Sequence, residues 1–386
     1  MIDAARMDTL ERTTYTNARL QLPTEEIVGT LVVENGRIAD IAPGRTRSGI
    51  DLGGAICMPG LVELHTDNIE TVLAPRPGVR WPLELAVAFH DRSVVSAGIT
   101  TVCDAVALGD ALPGSTRPQF EARIVDAVVR GIAGGRFAAD HFLHLRCELV
   151  YDELVNVVRR FIDEPRVALL SVMDHTPGQR QFADLRKFEQ YYAGKHGLDA
   201  AGIERMIAAR RRDQERHAAA NRDAVVALAR ERGIPLATHD DANAEHVAEA
   251  RREGAVIAEF PTSREAARAA RDAGMAVLMG SPNIVLGGSH SGNVSALELA
   301  CDGLVDIFSS DYVPQSLLHA PFAVAAATGT PLHQTMRSVT ATPARAIGLD
   351  DRGELAVGQR ADLIFVDASG TNVRVVGVVR NGKRVA

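Results

Sequence analysis

Between residues 58 and 346 the chain alternates short apolar runs with longer helical stretches, which limits its fold more than any other feature of its 386 residues. Eight runs stand out: Gly60 to His65, Thr100 to Ala105, His141 to Glu148, Val167 to Asp174, Leu236 to His239, Val256 to Phe260, Ala276 to Met279 and Ile307 to Ser309. A weaker ninth candidate, third in chain order, falls near residues 106–112 or 136–140. Such runs suit strands, and the stretches between them carry apolar residues at helical spacing. This is the pattern of βα units around a parallel sheet. The length accommodates one large α/β barrel and a small accessory unit. The expectation is a (β/α)8 TIM-like barrel over residues 58–346, with its third strand unassigned.

The two ends read differently. Ala18 to Leu22 and the segment GTLVVENGRIADIAPG are short β segments, and Glu34-Asn35-Gly36 is a hairpin signal between alternating apolar residues. The tail repeats the style with Gly353-Glu354-Leu355, Ala361 to Val366, and Val373 to Asn381-Gly382-Lys383. Residues 1–57 with 347–386 are therefore expected to build one β-sandwich, with 1–13 as a loose extension. Residues 181–233 form a helical excursion longer than an ordinary βα connection, suited to covering a barrel mouth. Its Arg210-Arg211-Arg212 run reads most simply as a solvated helix face.

A net charge of −7 and a pI near 6.0 give no general attraction to nucleic acid or anionic membrane. No apolar run approaches the roughly 18 residues of a membrane span, and the start MIDAARMDTLERTTY lacks the basic and apolar regions of a leader. Cys57, Cys103, Cys147 and Cys301 are widely spaced in apolar text and read as reduced core residues. A cytoplasmic protein is expected, and a homo-oligomer is compatible with the sequence.

In a barrel of this kind, reactive groups sit at the C-terminal ends of the strands, so polar residues that terminate apolar runs become candidates. The first run ends in His65-Thr66-Asp67. If the strand continues, residues 65 and 67 share a face and can grip one ion. A histidine beside a turn aspartate is the plainer alternative. Glu148, His175, His239 and Asp311 end later runs in succession. Together these imidazoles and carboxylates suit zinc, manganese, iron or nickel without choosing among them, and a bridging carboxylate would hold two ions. Asp240 and Asp241 follow His239, and Asp104 ends GITTVCD; each can orient a ligand histidine. The other histidines lack strand-end placement and are left as core or surface residues.

The text PGLVELHTD, with His175, His239, Asp311, TATPARAIGL and RGELAVGQRADLIFVD, resembles the amidohydrolase superfamily across nearly the whole chain. The resemblance implies a metal hydrolase, with His175 and His239 as the fifth- and sixth-strand histidines. Members commonly carry His-x-His after the first strand and a carboxylated lysine at the fourth. Here Asp67 replaces the second histidine, and no lysine precedes Phe182, so Glu148 takes the bridging place. HTDNIE, LHLRCEL, MDHTPGQRQF, THDD, GGSHSGN and SSDYVP together are similar to the phosphonate-metabolism branch. That similarity implies hydrolysis of a ribosyl phosphonate 5-triphosphate to the 5-phosphate and diphosphate, with Asp311 as both metal ligand and proton acceptor.

Gly288, Ser289, His290, Ser291 and Asn293 lie in a loop with the ingredients of an anion cradle, though a surface turn has the same composition. Arg146 and Arg180 flank ligand segments and suit either bidentate phosphate clamps or salt-bridge partners. Two rival readings stay open: hydrolysis of a cyclic amide or N-acyl substrate on the same barrel, and a non-catalytic scaffold among pathway proteins.

Overall fold

The computed structural model describes residues 12–76, 78–110, 117–178, 180, 199–289, 292–370 and 372–386. Eight parallel strands form the barrel in chain order: β6 (Leu61–Thr66), β7 (Ile99–Leu108), β8 (Asp140–Glu148), β9 (Val167–Met173), β10 (Leu236–His239), β11 (Ile257–Glu259), β12 (Ala276–Gly280) and β13 (Ile307–Ser309). Among the described residues the weak third candidate is no separate strand: residues 106–108 prolong β7, and residue 140 begins β8. Glu148, His175 and His239 therefore belong to the third, fourth and fifth barrel strands, one fewer in each case than the sequence reading counted.

The barrel closes where β6 meets β13. Asp311 and Thr66 form a parallel bridge: the Asp311 N–H donates to the His65 carbonyl at 3.1 Å, and the Asp311 carbonyl accepts from the Asp67 N–H at 3.2 Å. The Thr66 hydroxyl adds a third bond to that carbonyl at 2.8 Å. Asp311 makes these bonds at φ 52, a conformation uncommon for a residue with a side chain. Asp240 (φ 58) and Phe260 (φ 51) stand just past β10 and β11 in the same way. Each carries its strand's ladder one bond further, Asp240 to the Glu259 carbonyl and Phe260 to that of Leu278.

One apolar cluster takes at least one residue from every barrel strand, including Val62, Cys103, Phe142, Leu169, Ala237, Ile257, Leu278 and Ile307. This is the packed interior of the barrel. Because side chains on one face recur every second residue, the next interior layer follows by adding two: Phe142 gives way to His144, Leu169 to Ser171, Ala237 to His239, and Ile257 to Glu259. The apolar layer seals the base, and the polar layer faces the C-terminal mouth.

The termini build a second sheet. β1 (Thr13–Gln21), β2 (Glu26–Glu34), β3 (Arg37–Pro43), β4 (Ile50–Asp51) and β5 (Ile56–Pro59) join β14 (Leu363–Asp367), β15 (Arg374–Arg380) and β16 (Lys383–Arg384). β5 unites the two ends, pairing parallel with β1 and antiparallel with β14. The hairpin signal is realised by Asn35 (φ 51) and Gly36 (φ 75) between β2 and β3. Tyr15, Leu20, Leu31, Leu363 and Phe365 belong to a core separate from that of the barrel. The loose extension assigned to residues 1–13 is described only from residue 12, and β1 already includes Thr13.

From Ala200 the excursion is one helical rod, an α-helix over Ala200–Asp213, a π-helical turn over Gln214–Ala218 and an α-helix over Ala219–Arg232. Residues 181–198 lie outside the described part. Among the described residues no helix is long and apolar enough to cross a membrane. Cys57, Cys103 and Cys147 are buried free thiols, as their apolar surroundings suggest, but Cys301 is exposed at the end of the short helix Ala296–Cys301.

Gly60 carries the chain from the terminal sheet into the barrel. A Cβ at this position would lie 2.1 Å from Thr100 Oγ1. Gly60→Ala is expected to lower the unfolding free energy by about 1–3 kcal/mol through overpacking, measured by urea denaturation. Adding Thr100→Ala should recover part of that loss, since the two sites share one contact.

Candidate metal centre

Of the five histidine and carboxylate candidates at the ends of β6, β8, β9 and β10, the three histidines come together above the apolar layer. The His65 and His239 rings are 5.6 Å apart and those of His175 and His239 5.8 Å. Among the described residues, two compact sets of ligand atoms share His239: His65, His239 and Glu259, and His175, His239 and Asp240, each within 4.8 Å. The orphaned atoms match. Both ring nitrogens of His239, Oδ2 of Asp240 and Oε2 of Glu259 are buried without a hydrogen-bond partner. His239 Nδ1 and Asp240 Oδ2 approach to 2.9 Å, an ion-pair distance without hydrogen-bond geometry. Buried lone pairs left in this state are costly, and imidazole nitrogen with carboxylate oxygen is a donor set that a divalent cation satisfies.

Glu148 joins the group through His175, whose Nδ1 lies 2.5 Å from Oε2 and whose backbone N–H donates to Oε1 at 3.2 Å. Burial opposes a charge on His175, but the adjacent Glu148 carboxylate outweighs it and raises the imidazole pKa. His65 is driven the other way, well below the usual histidine value, by burial and by the charges of Arg146 and His239. Asp67 departs from the expected geometry. β6 ends at Thr66, and Asp67 is the N-cap of the helix Asn68–Leu73, at φ −102 and ψ 17. Strand alternation therefore does not carry its carboxylate beside His65; Asp67 Oδ2 instead lies 3.5 Å from the Arg146 guanidinium. Burial, and then repulsion from Asp67, push Asp311 up to about 8.

The expected supporting residues divide. Asp240 lies beside His239 and His175. Asp241 instead accepts from Arg180 at 2.5 Å and from the Thr238 hydroxyl at 3.0 Å. Arg180 is buried, and its second nitrogen lies 3.4 Å from Glu249, so it follows the salt-bridge alternative. Asp104 contacts no histidine of the cluster: its two oxygens are held by His90 and His141, both at 2.8 Å, in a separate buried network. Burial would lower His141, yet Asp104 and Asp91 raise it to about 9. Its neighbour His90 meets Asn68 at 3.1 Å, tying this network to the helix that Asp67 caps. Gly288, Ser289 and Asn293 are half-buried, and the Gly288 N–H already donates to the Asn283 carbonyl at 2.9 Å. His290 and Ser291 lie outside the described residues.

Several residues escaped the sequence reading. Glu259 is the interior residue two beyond Ile257, a signal that strand phase could have supplied. Glu63 is fully buried, accepts backbone N–H groups from His65 at 2.7 Å and Ser310 at 2.5 Å across the barrel seam, and is pushed by burial to about 7. In the arginine run, Arg211 and Arg212 are exposed as a solvated face requires, but Arg210 is only 1% exposed, and its guanidinium donates to the His175 carbonyl at 3.3 Å. One turn on, Gln214 donates to Asp174 at 3.0 Å, so the helical rod holds the segment that carries His175. A contact between elements this far apart in sequence leaves no periodic trace.

Comparison with known proteins agrees with this architecture. Residues 56–385 match the model of the amidohydrolase family. The chain belongs to the amidohydrolase family. Alpha-D-ribose 1-methylphosphonate 5-triphosphate diphosphatase of Escherichia coli (strain K12) is 45% identical over 373 residues, 96% of this chain and 99% of the relative. An adenine deaminase of Brucella suis is 26% identical over 90% of this chain but only 52% of its own length. Among solved structures, 5-methylcytosine deaminase from Klebsiella pneumoniae, liganded with phosphonocytosine, superposes with a TM-score of 0.64 at 17% identity, covering 97% of this chain and 98% of its own. At that identity the likeness concerns the fold of this amidohydrolase alone.

Two outcomes follow from the centre's electrostatics and supports. In chelated protein, Asp311 near 8 and Glu63 near 7 hold protons that their unfolded counterparts, near 3.8 and 4.5, have released. His141, near 9 against 6.5, acts in the same direction. His144, lowered by burial to about 3, opposes them only below about 6.5. Stability of the chelated protein should therefore fall as pH rises from about 6.5 to 9, and Asp311→Asn should flatten the slope, by calorimetric melting. Arg210→Met should cost about 1.5–3 kcal/mol of unfolding free energy, the range for a hydrogen bond from a charged group.

Proposed function

We propose that the chain hydrolyses alpha-D-ribose 1-methylphosphonate 5-triphosphate to the 5-phosphate and diphosphate, a step in phosphonate breakdown. The observation that carries this reading is the 45% identity to the diphosphatase over 99% of that relative's length. The orphaned donor atoms around His239 support it, because a substrate with about four negative charges calls for a strongly cationic centre.

His65, His175 and His239, with Glu148 as the bridging carboxylate and Asp67 and Asp311 completing the set, would hold divalent metal, with two zinc ions as the leading expectation. When bound, such ions offset charge on the anhydride oxygens and acidify the attacking water. The remaining work belongs to the side chains. Asp311 is fixed by backbone bonds to His65 and Asp67, so its carboxyl is held at one place on the barrel rim. There it takes a proton from water as attack on phosphorus begins and can return it to the leaving diphosphate. Arg146 lies beside Asp67 with its Nε buried and unpartnered, a cation suited to a phosphate oxygen. Gly288, Ser289 and Asn293, with backbone N–H groups, a hydroxyl and an amide, would supply further contacts to phosphate oxygens. Arg180 then serves by holding Asp241 beneath the β10 end rather than by touching substrate.

The test is to incubate metal-loaded protein with the ribosyl 5-triphosphate and follow phosphorus NMR. Diphosphate is the expected product; orthophosphate alone, or hydrolysis of amides in its place, overturns the assignment. Asp311→Asn should cut turnover about 10²–10⁴-fold while metal content by mass spectrometry stays at the wild-type level. Full activity in that variant would remove Asp311 from proton transfer.

A further inference from the structure

We propose that Glu259 is a positioning residue of the metal centre, holding His65 as the tautomer whose Nε2 is free to bind an ion. The inference deepens the metal-centre reading above and rests on it.

Glu259 closes β11 in the polar layer and is fully buried. Its Oε1 lies 3.1 Å from His65 Nδ1. The other nearby imidazole, His144, has Nε2 at 3.8 Å from the same oxygen. His144 is already engaged at both ends, with Nδ1 2.9 Å from the Leu64 carbonyl and Nε2 2.9 Å from the Ser171 hydroxyl. The Leu64 carbonyl can only accept, so His144 carries its proton on Nδ1, and its Nε2 accepts from Ser171. It therefore gives Glu259 no hydrogen bond, and His65 Nδ1 is the donor that faces the carboxylate.

An ionised carboxylate accepts and does not donate, so Nδ1 of His65 must bear the proton and Nε2 keeps its lone pair. The contact with Glu259 at Nδ1 thus decides which edge of His65 is open. Its second oxygen has no hydrogen-bond partner, and such a buried charge is favourable only with positive charge close by. The ligand atoms of His65, His239 and Glu259 fall within 4.8 Å of one another, which brings that charge within reach.

The carboxylate is well anchored. The Glu259 carbonyl accepts from the Asp240 N–H at 2.9 Å, and the next residue, Phe260, turns at φ 51 to donate to Leu278 at 2.8 Å. The Phe260 ring then packs edge-on against His65 and His239, with centroids at 4.9 and 5.3 Å. One strand end therefore sets both the tautomer and the tilt of His65.

Glu259→Gln keeps the shape and removes the charge. With zinc alone as the probe, competition calorimetry should show affinity weakened about 10–100-fold with the stoichiometry of the wild type, and 15N NMR of metal-free protein should show His65 losing its preference for the Nδ1–H form. Rescue of both readouts by Glu259→Asp would strengthen the assignment. Unchanged zinc affinity together with an unchanged His65 tautomer would overturn it. Loss of a whole equivalent of zinc would also overturn it, in favour of direct ligation. A wild-type protein that binds no divalent ion would defeat the metal-centre reading itself, whereas wild-type binding with an unaltered variant defeats this inference alone. Should Glu259→Gln fail to fold, Phe260→Leu gives a second approach: it leaves the carboxylate in place, so His65 should keep its tautomer, and loss of the Nδ1–H preference in this variant would assign the tautomer to ring packing and overturn the inference.

Discussion

A parallel barrel is complete only when its first strand meets its last, and in this protein that join is made by the backbone of Asp311. Two bonds tie it to His65 and Asp67, and the Thr66 hydroxyl adds a third. Glu63 crosses the same seam from below, accepting N–H groups from both sides of it. Barrel closure and assembly of the reactive rim are therefore one event. The left-handed backbone of Asp311 is the local cost of that arrangement, and it fits the general tendency for strain to collect at functional sites.

Above the apolar base, the interior changes character within a single pleat. His144, Ser171, His239 and Glu259 lie two residues beyond Phe142, Leu169, Ala237 and Ile257, so a water-excluding layer directly underlies a layer of titratable groups. This proximity gives the centre its electrostatics. Burial lowers His65 and His144, raises Glu63 and Asp311, and leaves several lone pairs unsatisfied. Without positive charge such an interior is poorly balanced, and a divalent cation at its centre would relieve it. A separate network of Asp91, His141, Asp104 and His90 is already balanced internally, its imidazole and carboxylate charges facing one another at hydrogen-bond distance. That contrast separates a buried network whose polar atoms are all paired from one that keeps orphaned atoms of the kind a cation satisfies.

The helical excursion was visible in the sequence as an element, and its arginine run as a solvated face, which holds for Arg211 and Arg212 but not for Arg210. Arg210 lies in a run of three arginines, and on composition alone a solvated face is the simpler reading. In the fold, Arg210 is withdrawn from water and bonded to the chain at His175, while Gln214 holds Asp174. The π-helical turn that begins at Gln214 shifts the register of the rod at that contact, consistent with the association of such turns with functional sites.

Periodicity and termination are local properties, and they sufficed for the barrel strands, the terminal sheet, the Asn35-Gly36 hairpin and the strand-end histidines. Each depends on residues a few positions apart, where backbone geometry dictates which side chains share a face. The resemblance to amidohydrolases was legible for a similar reason, since its motifs are contiguous. Other features required the closed barrel. Asp67 left the strand because a helix begins at the next residue; Arg180 and Asp104 found partners that sequence order does not rank; and Glu259 became a neighbour of His65 only when β11 came to stand across the interior from β6. By itself, the sequence determined which elements form and which residues end them. The tertiary structure decided which of those ends converge, because burial, hydrogen bonding and charge balance act between groups that chain closure alone brings within a few ångströms.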